Sequence, residues 1–280
     1  MRRRISYTAI FSVLCLQVLL SQDIQQAKRF ADEQLLLGND RIALKEYQRV
    51  LLFDREGAYR EIFLTIASLY DAREETDRAL AYYDMAWNAM QGDSIRREIT
   101  FRKTLCHFTQ EQYLLALGEL YSLPDSMSAD HMKRRQLYLG IAQFGLEDLD
   151  ASLESFATIL DTAGTAAVKA ELAVYDKYRE KYDPDRLQTM SIFLPGLGQI
   201  YGGKPASGIN SIMLLAAIST YSYFTIINYS LLDGLLVFTS WFYRYYTGGH
   251  RNAYEIGLRR LQEKKQQTYQ SLLRIIRKSL

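Results

Sequence analysis

Proline and cysteine are the residues this chain of 280 hardly uses. The four prolines stand at 124, 184, 195 and 205, so the first 123 residues lack the strongest helix breaker. Two cysteines, Cys15 and Cys106, exclude a disulfide scaffold and a cysteine-built zinc site. His107, His131 and His250 are far apart in no ligand spacing, so no metal site is expected. Overall charge excess is missing too. The 34 Lys and Arg are matched by 32 Asp and Glu, which argues against a nucleic-acid-binding chain. No catalytic constellation stands out, so neither an enzyme nor a cofactor is expected.

The balanced total conceals three regions. Residues 1–22 hold Arg2, Arg3 and Arg4 and no acid. Residues 23–185 carry 20 basic and 29 acidic side chains, and residues 186–280 carry 11 and 3. Such a split implies separate environments. In the first region three arginines precede an uncharged, largely apolar run, the pattern of a secretory signal or an N-terminal anchor. Export of the acidic region is therefore expected.

The acidic region has no strand-like alternation. Apolar and small residues recur at three and four, as on helices. Four segments align with one another. They are Phe30-Ala31 with Ala43 and Tyr47, Ile66-Ala67 with Ala79 and Tyr83, Tyr113 with Ala116 and Leu120, and Leu139-Gly140 with Ser152 and Phe156. The small anchors Ala43, Ala79, Ala116 and Ser152 are 36, 37 and 36 residues apart. The third segment departs most, with Lys103-Thr104 where a large-small pair is expected, as if its first helix were shifted by one residue. Residues 166–182 read as a further, capping helix, and Asp183-Pro184-Asp185 as a boundary.

This pattern resembles the tetratricopeptide repeat family, whose unit is a pair of antiparallel helices. The resemblance implies a solenoid of about four hairpins plus the cap. Its small residues sit where the two helices of a hairpin touch. It also implies a concave groove lined by first-helix residues, which in the fourth repeat are Leu137, Ile141 and Phe144. Some relatives grip a peptide carboxylate with Lys and Asn there. Asp32, Ser68, Leu105 and Ile141 occupy the Asn place here, so that clamp is absent. An apolar groove would suit an apolar or amphipathic segment of a protein partner.

The basic region opens on uncharged residues 187–203, interrupted by Lys204. Twenty-eight uncharged residues come next, 205–232, long enough to cross a hydrocarbon core of roughly 30 Å. Residues 231–246 end in Trp241-Phe242-Tyr243-Arg244-Tyr245-Tyr246, an interfacial aromatic belt closing a second span. Leu194-Pro195-Gly196-Leu197-Gly198-Gln199-Ile200-Tyr201-Gly202-Gly203-Lys204 resembles the motif that opens a family of small bacterial two-span membrane domains, of the Pro-Gly-Leu-Gly-Gln type. The resemblance covers residues 190–248. Pro195 and the glycines Gly196, Gly198 and Gly203 would interrupt an apolar helix, giving a tight entry hairpin or a short re-entrant element with Gln199 and Tyr201 in it. A phosphate loop is excluded because Gly203-Lys204 is followed by Pro205, not Ser or Thr. Asp233 is expected in the turn between spans and Arg244 at the opposite interface.

Residues 251–280 carry eight basic and two acidic side chains. Tyr254, Leu258, Leu261, Tyr269, Leu272, Ile276 and Leu280 form a helical stripe, a basic amphipathic helix suited to anionic lipid. Export puts the repeats outside the cytoplasm, whereas positive charge puts the tail inside it. Counting 187–203 as a third crossing would reconcile the two.

The expected protein is therefore all-α: signal peptide or anchor (1–22), helical repeats (23–185), membrane domain (186–250) and amphipathic tail (251–280). It would be a multi-pass protein of a bacterial inner membrane, with its repeats in the periplasm scaffolding a protein partner and its last third in contact with lipid. The alternative is a membrane enzyme or transport component built from the glycine motif and Asp233.

Overall fold

A computed structural model describes residues 24–279; the leading arginine-apolar segment lies outside the described residues. Among the described residues every regular element is helical. The chain divides into two compact units between Ser155 and Phe156.

The first unit is a run of helix hairpins. It comprises α1 over 24–36, α2 Asp40–Phe53, α3 Ile62–Ala72, α4 Thr76–Ala89, α5 Asp93–Thr109, α6 Tyr113–Tyr121 and α7 Ala129–Gly145. Helix α8, Leu149–Ala157, straddles the division. Each helix from α2 to α6 packs on the next.

One turn recurs four times. Gly38, Glu74, Glu111 and Glu147 are all left-handed, with φ of 74°, 59°, 56° and 63°. The next amide after each one reaches back five residues, as in Asn39 N to Gln34 O (2.9 Å) and Glu75 N to Tyr70 O (3.0 Å). Gln112 N to His107 O and Asp148 N to Gln143 O repeat it, both at 2.9 Å. These are the helix-ending bonds that satisfy carbonyls of the last turn. Five residues after each left-handed residue comes a small anchor. Ala43, Ala79, Ala116 and Ser152 all have no exposed surface. Ser152 Oγ donates to Gly140 O at 2.8 Å across its hairpin, so the one polar anchor is satisfied.

The third hairpin keeps its register and is not shifted. Thr104 stands where Ala67 and Gly140 stand in their hairpins and is fully buried, its Oγ1 donating to Thr100 O at 2.9 Å. The Lys103 stem is largely covered, and Nζ lies 2.7 Å from Asp84 and 2.5 Å from Glu119. Burial would lower the ammonium pKa, but the bonds to both carboxylates outweigh it and the pKa is raised. A lysine thus substitutes for a large apolar residue because its stem packs and its charge is paired.

The second unit contains α9 Thr162–Lys181, α10 Pro184–Phe193, α11 Leu197–Tyr201, α12 Pro205–Asn228, α13 Leu231–Val237 and a π-helical turn Phe238–Phe242. It ends in α14, which runs unbroken over Tyr243–Ser279. Asp183 caps α10, accepting from Arg186 N at 2.7 Å, with Pro184 in the first turn, so Asp183-Pro184-Asp185 does end one helix and start another. The expected cap, α9, packs against α14 within this unit. That contact corrects the expectation for the tail. Its stripe is not free for lipid: Leu272 and Ile276 are buried, Tyr254, Leu258, Leu261 and Tyr269 are half-buried, and Thr268 fills the polar gap.

The left-handed glutamates yield a prediction. A non-glycine residue there costs about 1–2 kcal/mol, and glycine loses about 0.5–1 kcal/mol more backbone entropy on folding. Glu74→Gly and Glu111→Gly, both at exposed positions, should each raise stability by about 0.5 kcal/mol and add in the double variant. Thermal melts of the full chain monitored by circular dichroism measure this. A lowered midpoint would contradict the turn assignment.

Candidate functional site: the glycine motif and the apolar hairpin

The glycine motif is a backbone crossing point. Helix α10 runs antiparallel to α14: Pro184 and Leu187 lie against Gly257, Gln188 Nε2 is 3.2 Å from His250 Nδ1, and Tyr246 donates to Ile192 O at 2.8 Å. The chain then reverses at Pro195-Gly196, where Gly196 adopts φ 89°. Helix α11 returns along α14 in the opposite sense, with Gln199 at Gly249, Gly202 at Ile256 and Gly203 at Arg260. Residues 187 and 203 therefore reach the same level of α14. The segment 187–203 folds back on itself and does not run on as one continuous helix.

Each glycine has a neighbour that excludes a side chain. A Cβ on Gly196 would strike the carbonyl of Gly208, and one on Gly208 would meet Gly196 O at 2.5 Å. On Gly198 it would strike Leu187 O and on Gly203 the Arg260 guanidinium. Gly202, Gly234 and Gly257 are also closed to a side chain, against Ile256, Ile226 and Pro184. Gly198 N donates to Ser191 Oγ at 3.0 Å, which binds α11 to α10. Gln199 is wholly buried, and its Nε2 donates to Gly249 O at 2.9 Å. Tyr201 is exposed, with Arg186 5.8 Å from its ring centroid. Pro195 is half-buried at the reversal. The motif residues thus come together as a packing joint of α10, α11, α12 and α14.

Gly208, Gly234, Gly257 and Gln188 were missed from sequence, although an isolated glycine in a helical pattern signals close approach.

Asp233 is elsewhere. Ser230 Oγ accepts from Asp233 N at 3.1 Å and donates to its Oδ2 at 2.7 Å, so Asp233 completes a capping pair at the start of α13. From Gly208 to Asn228 is 20 residues of helix, roughly 30 Å at 1.5 Å per residue. The glycine motif and Asp233 lie at opposite ends of α12 and share no site. Among the described residues no group of three or more His, Cys, Asp or Glu gathers as for a metal.

In the first unit, Ile141 and Phe144 are 6% and 1% exposed and Leu137 is half-buried. The stripe is covered, so it presents no open groove; contact with a partner there would require the covering side chains to move. Cys106 is buried beside Asp71, and burial first, then that carboxylate, pushes its thiol pKa up to about 12, far from a working nucleophile.

No protein-family model matches the chain, and no curated protein matches it.

Overpacking of a closed joint costs about 1–3 kcal/mol. Gly198→Ala and Gly208→Ala should each lower the melting temperature of the purified full chain, while Tyr201→Ala should leave it nearly unchanged. Intrinsic-fluorescence melts in detergent separate the cases; equal tolerance of all three would refute a packing role.

Proposed function

We propose that the chain is a membrane-anchored scaffold of the tetratricopeptide type, which holds a protein partner on one side of a bacterial inner membrane. Four hairpins built on one turn at a 36–37-residue period, with a long apolar helix after them, carry the proposal. Helix α12 is the one described helix long and apolar enough to cross a membrane. A soluble core helix would be mostly buried, but only 17% of this one's apolar window is. The chain from Leu231 through the π-turn into α14 packs back along α12, and on this reading it is the second span.

The fold-back of 187–203 supports a reading with two spans instead of three. On that reading α10 and the tail leave the membrane on the same side. No described helix ahead of α12 is long and apolar enough to cross, and the same reading gives the repeats that side too. The exported side remains the proposal, carried by the arginine-led segment at 1–22. The basic tail then stands on that side as well.

Partner contact falls to the repeats' exposed apolar side chains. Leu36 and Leu37, at the tip of the first hairpin, are 87% and 71% exposed. Cross-linking of the detergent-purified chain should recover a stoichiometric protein partner. Leu36→Ser with Leu37→Ser should abolish that recovery without shifting the melt, since no core is emptied. Recovery of only self under several conditions would defeat the scaffold reading.

A further inference from the structure

An apolar groove of about 470 Å³ opens between α12 and the junction of α13 with the π-turn, lined by Ala217, Ile218 and Tyr221 on one side and Val237 and Trp241 on the other. Its volume is in the range of ligand sites, about 300–1,000 Å³. The π-turn sits at the groove wall, and such turns inside α-helices are frequent at functional sites. Here the wall is stiffened by stacking: Phe238 on Phe242 with centroids 4.5 Å apart, and Trp241 on Tyr245 at 6.1 Å.

A cation follows about one helical turn beyond the groove wall. Arg244 is three residues beyond Trp241 and nearer the joint at Gly249. It is exposed, and no described carboxylate pairs with it. Five residues of helix separate it from Gly249, about 8 Å, which an arginine stem spans by snorkelling. An apolar slot along a membrane-facing helix, with an unpaired cation towards the interface, matches a lipid tail joined to a phosphate.

Resting on the two-span reading above, we propose that this groove binds one acyl chain of an anionic phospholipid, whose headgroup phosphate is met by Arg244. The site gives the lipid partnership of the last third a definite place in the hairpin, instead of the basic tail.

The test uses the full chain in vesicles of phosphatidylcholine with phosphatidylglycerol that carries a photoreactive diazirine on one acyl chain. Label should concentrate on the five lining residues and be competed by unlabelled phosphatidylglycerol but not by phosphatidylcholine. Arg244→Gln should reduce it about fivefold, the worth of one basic side chain at an anionic surface. Ala217→Trp, which fills the slot while keeping Arg244, should remove it. Label spread evenly along α12, or indifferent to Arg244→Gln, would overturn the lipid site and leave the spans standing. Release of the chain from vesicles by alkaline carbonate would overturn the spans, and the lipid site with them.

Discussion

The second unit depends on one constraint: two backbones must touch without side chains between them. Gly196 and Gly208 meet carbonyl to α-carbon, and Gly198 meets Leu187 in the same way. Only glycine permits these approaches, and Gly196 also needs its left-handed φ. This contact sets the reversal at Pro195, the return of α11 along α14, and the placement of Gln199 beneath Gly249. A chain reversal leaves backbone groups without helical partners, and Ser191 and the internal bonds of α11 supply them.

The first unit solves a different problem by repetition. Each hairpin needs a sharp reversal and then a small residue where the helices touch. A left-handed residue and a buried Ala or Ser five positions later provide both. The variations are local: Thr104 and Ser152 satisfy their hydroxyls on nearby carbonyls, and Lys103 pairs with Asp84 and Glu119. None of these changes the period.

Legibility from sequence depended on the kind of signal involved. The 36–37-residue period was readable because the anchors Ala43, Ala79, Ala116 and Ser152 are small at fixed spacing. The turns were not, since Glu74, Glu111 and Glu147 look like ordinary surface acids and only Gly38 signals a left-handed position. The joint was half-readable: Pro195, Gly196 and Gly198 announced an interruption, but an uncharged run of 17 residues has the composition of a span whether it crosses or returns. The tail shows a different limit. Periodicity at Leu272 and Ile276 marks an apolar face without saying whether lipid or α9 covers it. The same limit applied to Ile141 and Phe144, whose stripe is covered and not open.

The central claim is that the second unit enters and leaves the membrane on one side. Topology reporters fused after Asp185 and after residue 280, one active only outside the cytoplasm and one only within, address it directly. The account predicts the same side for both fusions, with the outside-active reporter positive at each. Both fusions on the cytoplasmic side would overturn export while sparing the hairpin. Opposite sides for the two would contradict the re-entrant joint itself.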